Sequence, residues 1–158
     1  MAASAAVDER VLSMVRAFDA PIERVFAAWT NPDQFAEWFG PHGVKTLVCE
    51  LDVRVGGTWR LLGQGPERRH AVSGKYLEVE PPNRLVFTWA WHETGDLSTP
   101  REHETVVELR FKAVGSRTEV TLTQATFRDT TGTRNHEWGW TQSFEKLETF
   151  LGRTAYQR

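Results

Sequence analysis

LVFTWAW, Leu85 to Trp91, alternates two kinds of side chain. In an extended chain Leu85, Phe87, Trp89 and Trp91 fall on one face and Val86, Thr88 and Ala90 on the other, because successive strand residues point to opposite sides. The stretch predicts a strand with a dry, aromatic face that another element must cover. TVVELRF, Thr105 to Phe111, repeats the pattern: Thr105, Val107, Leu109 and Phe111 share a face opposed by Val106, Glu108 and Arg110. VTLTQ continues it with Val120, Leu122 and Gln124 on one side.

Outward from these strands, turn residues recur at short intervals from Val44 to Gln124: Gly56-Gly57, Gly63 to Pro66, Pro81-Pro82-Asn83, Gly95 to Pro100 and Gly115-Ser116. Six consecutive strands with short connections form an antiparallel meander. Upstream, Val11 to Phe18 reads as one more strand, ending at Asp19, a helix N-cap by residue type, with Pro21 in the first turn. In PIERVFAAWT, Ile22, Val25, Phe26 and Trp29 make one helical stripe, and NPDQFAEWFGP starts a second helix with Asn31 as cap and Pro32 at its first position.

Downstream, the polar RDTTGTR reads as a turn, and a long helix is expected from Asn135 to about Gly152. Trp140, Phe144, Leu147 and Leu151 lie within ~40° of one another around it, whereas Trp138 falls ~160° from Trp140. Trp138 therefore needs a cover of its own. A neighbouring loop is the simpler cover, and a second subunit in a homodimer is the alternative.

Strand, two short helices, six strands and one long helix define an α+β fold: a seven-stranded curved antiparallel sheet wrapped around the C-terminal helix. A helix about 10 Å across cannot fill the concavity of so wide a sheet, so an internal cavity is expected.

A chain of 158 residues suits one domain over 1–158, with its core at about 11–152 and a flexible lead at 1–9. Nineteen basic and twenty-one acidic residues leave a net charge of −2 without like-charged blocks, which argues against a nucleic-acid partner. Cys49 is the only cysteine, so an internal disulfide is excluded and a reducing, cytoplasmic setting is expected. No stretch approaches the ~18 apolar residues of a membrane span. The unusual total is aromatic, with seven Trp and nine Phe against two Tyr. Such rings either fill a core or line an apolar pocket.

FDAPIERVFAAWTNPDQFAEWFGP, DVRVGGTWR, GKYLEVEPPNRLVFTW, ELRFKAVGSRTEVTLTQ and the GW and SFEKLETFL of the last helix together resemble one known family. It holds the bacterial single-domain homologues of the activator of the 90-kDa heat-shock protein ATPase, within the START-like (SRPBCC) superfamily. The resemblance covers nearly all of Val11 to Leu151 and implies a β-α-α-β6-α helix-grip domain with a pocket between sheet and last helix. The superfamily also includes polyketide cyclases and lipid-transfer domains, so fold alone leaves function open. Eukaryotic activators carry a separate amino-terminal domain for which this chain has no room, which sets chaperone activation below ligand binding as an expectation.

HETGDLSTPREHE gathers His92, His103 and four carboxylates at one hairpin loop. Parity sends His92 outward and His103 inward, so the imidazoles diverge, and no metal site or cofactor is expected. Cys49 shares the parity of Leu47 and Leu51 and reads as a small buried hydrophobe. The glycine-rich turns connect strands and are not phosphate loops. No residue is assigned as catalytic.

The candidate pocket is aromatic. Trp59, Phe87, Trp89, Trp91, Trp140 and Phe144 line it with Trp38 and Phe39, beside Val107 and Leu109. Gln124 and His103 would orient a ligand's polar end, or, on the plainer reading, meet water or backbone at strand ends. Binding of a small apolar or aromatic molecule is the expected function. A polyketide cyclase or dehydratase-like enzyme and a partner of a 90-kDa-type chaperone are the alternatives. The protein is expected to be a monomer or homodimer.

Overall fold

The structure, a computed structural model, describes residues 11–126 and 130–156. The expected flexible lead at 1–9 lies outside them. Strand β1 (Leu12–Phe18) is followed by helices α1 (Ile22–Thr30) and α2 (Pro32–Trp38). Strands β2 (Lys45–Leu51), β3 (Thr58–Gln64), β4 (Arg69–Glu80), β5 (Arg84–Trp91), β6 (Thr105–Val114) and β7 (Arg117–Ala125) come next, and α3 (Thr130–Tyr156) closes the order. The seven strands make one antiparallel sheet in the order β1-β7-β6-β5-β4-β3-β2. Antiparallel hairpin connections order the run from β2 to β7, and β1 completes the sheet by pairing with β7 from Leu12 opposite Gln124 to Phe18 opposite Thr118.

The inward faces of the strands and the apolar sides of the helices form one core. Val107, Leu109, Val120, Leu122, Phe144 and Leu147 are fully buried within it. Trp29 is its hub, 4.6 Å from Trp38, 5.8 Å from Trp140 and 6.2 Å from Phe144 between ring centroids. Tilted and edge-to-face pairs of this kind each add about 0.5–1.5 kcal/mol beyond the area they bury.

Asn31 caps α2 as its sequence dictates, accepting from the backbone N–H of Asp33 and Gln34 at 2.9 and 3.2 Å. Asp19 does not cap α1. Ala20 N–H bonds back to the Phe18 carbonyl, a turn that leaves Asp19 too early, and extended Pro21 occupies the N-cap with no side-chain bond. Helix α3 also begins earlier than its pattern suggests. Thr130 to Arg134 is helical rather than a turn, a boundary that polar residues without an apolar stripe do not mark. In β2 the register shifts between Thr46 and Val48, so Leu47 is exposed while Cys49 is half-buried, and the alternation expected of Leu47 and Cys49 breaks.

Candidate ligand-binding cleft

The end of α2 is fastened to α3. Gly40 N–H donates to Ser143 Oγ at 3.1 Å and His42 N–H to Gln142 Oε1 at 2.8 Å, while His42 Nε2 lies 2.9 Å from Glu145. This sets Phe39 opposite the aromatic face of β5, and a cleft of about 910 Å³ opens between the two. That size suits a small organic ligand. Its walls are the rings of Phe39, Trp89, Trp91, Trp138 and Trp140. Its polar edge carries Arg68, Arg69, His70, Glu93, Glu102 and Asn135.

The void beneath Trp59 and Phe87 amounts to about 10 Å³, room for one water at most. Of the residues expected to line a pocket, Phe39, Trp89, Trp91 and Trp140 are brought together on the cleft. Trp38, Trp59, Phe87, Val107, Leu109 and Phe144 are buried in the packed core away from it. Trp38 donates its indole N–H to the Ala28 carbonyl and Trp59 to the Thr88 carbonyl, both at 3.0 Å. Gln124 is wholly buried and spent on the protein itself: Oε1 accepts from Trp140 Nε1 at 2.8 Å and Nε2 donates to Thr105 Oγ1 at 2.9 Å.

His103 corrects its expected inward orientation. Strand β6 begins at Thr105, so the parity does not reach His103, which sits exposed on the preceding loop against the Thr126 carbonyl. Trp138 is also uncovered by any loop among the described residues. It is 61% exposed and forms the outer rim of the cleft, which accounts for a tryptophan on the wet side of an amphipathic helix.

Two histidines of the cleft escaped the sequence reading. His136 lies four residues before Trp140, a spacing that puts both on one helical face. Its Nδ1 donates to the Gly132 carbonyl at 2.8 Å, leaving Nε2 to accept from Trp91 Nε1 at 3.0 Å. Burial holds its pKa below the ordinary 6.5, against the opposing pull of the Gly132 carbonyl. His70 shares the inward parity of Val72. Burial first, and the Arg68 charge second, hold it below 6.5 as well.

His92 serves as a brace. Nδ1 donates to the Thr99 carbonyl at 2.7 Å and Nε2 accepts from Ser73 Oγ at 2.8 Å, while Arg101 Nε donates to that hydroxyl at 3.0 Å. The Ser73 hydroxyl is occupied from both sides, and the group ties the β5–β6 loop to β4. Burial, then Asp33 and Glu50, push the Cys49 thiol up to about 11, unlike a reactive thiolate. Among the described residues no group of three His, Cys, Asp or Glu side chains gathers to hold a metal ion, and no helix is long and apolar enough to cross a membrane.

A helix pair after the first strand and a long final helix laid on a seven-stranded antiparallel sheet, with a cleft beside that helix, define a START-like helix-grip protein. The family described as Activator of Hsp90 ATPase homolog 1-like protein matches residues 19–152, and the chain belongs to it. Among solved structures, the AHSA1 protein from Silicibacter pomeroyi is 30% identical and superposes with a TM-score of 0.82 over 91% of this chain and 99% of that one. A protein from Chromobacterium violaceum is 25% identical, with a TM-score of 0.81 over 91% and 98%. One from Rhizobium leguminosarum is 28% identical, with a TM-score of 0.74 over 90% and 94%. No curated protein matches the chain.

Proposed function

We propose that this protein binds a small apolar, aromatic molecule in the cleft between β5 and α3. The observation that carries the reading is a contrast: the void beneath Trp59 and Phe87 is about 10 Å³, yet five aromatic rings face one open volume of about 910 Å³. Rings of this kind offer large contact area at low entropic cost, and burial of an aromatic ligand among them supplies the affinity.

Native mass spectrometry of the purified protein, paired with a nitrobenzene titration read by tryptophan emission, tests this. A mass adduct lost on denaturation, or saturable quenching, is expected. A bare mass together with quenching that rises linearly without saturation would refute the reading. The family's description favours a second reading, contact with a 90-kDa-type chaperone. Adding the protein to such a chaperone and measuring its ATPase rate tests that, and an unaltered rate removes it.

A further inference from the structure

Three imidazoles reach the cleft, and hydrogen bonding separates them. Both nitrogens of His92 are engaged by Ser73 and Thr99, and both of His136 by Trp91 and Gly132. The His70 ring lies edge-on to Trp91 at 6.1 Å and has no hydrogen-bond partner among the described residues. A Cβ at position 65 would stand 3.2 Å from His70 Nε2, so any side chain in place of Gly65 would crowd that nitrogen.

The charges around this ring are unequal. From β4 and its preceding turn come Arg69 and Arg68. Arg69 is held by Gln64 Oε1 at 3.3 Å and its charge acts on Asp96. Arg68 makes no ion pair among the described residues, and its charge acts on His70. Glu93 and Glu102 stand on the β5–β6 connection, and α3 contributes the uncharged Asn135 and His136. A ligand's anionic oxygen is favoured on the Arg68 side and disfavoured toward the two carboxylates.

Resting on the reading of the cleft as an aromatic-ligand site, we propose that His70 is its polar anchor and that the ligand is a phenol. The aromatic ring lies against Trp91 and Trp138, and the hydroxyl meets the free imidazole beside Arg68. The neutral phenol donates its O–H to the unprotonated ring nitrogen. On ionisation that O–H bond breaks, its proton moves onto the ring nitrogen that accepted it, the proton on the other ring nitrogen leaves to solvent, and the phenolate oxygen accepts the new imidazole N–H while Arg68 offsets its charge.

4-Nitrophenol and nitrobenzene differ by the hydroxyl alone, and the phenolate absorbs visible light. The protein should bind 4-nitrophenol about three- to tenfold more tightly than nitrobenzene, the worth of one hydrogen bond. Bound 4-nitrophenol should ionise about one pH unit lower than free, as a nearby cation dictates. His70→Phe should bring the affinity ratio to one and His70→Gln should restore it, whereas Arg68→Gln should return the ionisation to its free value. A ratio untouched by His70→Phe overturns the proposal. Nitrobenzene binding without preference for the phenol sinks this proposal alone, and failure of both probes on the unaltered protein sinks the aromatic-ligand reading beneath it.

Discussion

Trp91 donates its indole N–H to His136 Nε2 at 3.0 Å, joining the end of β5 to the first half of α3. The bond needs an unprotonated acceptor, and burial lowers the His136 pKa from 6.5 in keeping with that. The unfolded chain therefore takes up the proton at a higher pH than the folded one. Stability from this group is complete above about 6.5 and drains away as pH falls toward the lower folded value. The thermal midpoint should drop between about pH 7 and pH 5.5, and more steeply in the natural protein than in His136→Gln, whose amide oxygen accepts from Trp91 at any pH. Parallel curves for the two would remove His136 from the account. His70 shifts in the same direction, so some slope should remain in the variant.

Gln124 is the second tie between helix and sheet, through Trp140 on one side and Thr105 on the other, and Thr105 Oγ1 in turn donates to the Trp89 carbonyl at 3.2 Å. Leucine at 124 would strand a buried indole N–H and cost about 2–3 kcal/mol, read as a lowered urea midpoint with unchanged slope. Because the loss comes from an abandoned donor, Trp140→Phe combined with Gln124→Leu should cost less than the sum of the two single changes. Strict additivity in that cycle would show that the pair is not coupled. Gln124→Leu should act on folding far more than on ligand affinity, since neither end of the amide is turned to the cleft.

The strands and the division of labour between Trp138 and Trp140 were legible because period two and period 3.6 are geometric consequences of backbone conformation, visible wherever one face is apolar. Alternation correctly placed Val107, Leu109, Val120 and Leu122 inside. It failed where the backbone departs from a regular strand: at the β2 bulge for Leu47, and at His103, which precedes the first residue of β6. The site was less legible than the fold. A ring that fills the core and a ring that lines a cleft carry the same pattern, so Trp59 and Trp89 look alike until packing distinguishes them. His70 shares the inward parity of Val72, but that parity does not tell a polar wall of a cleft from a histidine at a strand end.

Trp138 gives a separation of binding from stability. With 61% of its surface exposed, it contributes little to folding, yet it forms the rim of the cleft. Trp138→Ala should leave the thermal midpoint within the range of an ordinary surface change, about ±0.5 kcal/mol. The same variant should weaken nitrobenzene binding by about three- to tenfold, the worth of one aromatic contact. Undiminished affinity would place the ligand elsewhere. Sedimentation at high protein concentration distinguishes a bare rim from a dimer contact: a dimer that dissociates in Trp138→Ala would mean that the ring is covered by a second copy.

Gly74 sits on β4 close against the β5 backbone at Thr88. A Cβ there would stand 1.8 Å from the Thr88 carbonyl oxygen and 2.5 Å from Trp59 Nε1, the same two groups that hydrogen-bond at 3.0 Å. Backbone cannot yield as a side-chain tip can, so even alanine must part the strands or break the Trp59 bond beneath the core. Gly74→Ala should cost about 3 kcal/mol or more, combining overpacking with a lost buried hydrogen bond. Gly152→Ala offers the opposite case, since nothing lies within 4 Å of its added Cβ and the position is helical. That variant should gain about 0.5–1 kcal/mol from helix propensity. Urea unfolding of the two side by side decides the matter: equal midpoints would mean that β4 and β5 do not approach this closely at Gly74.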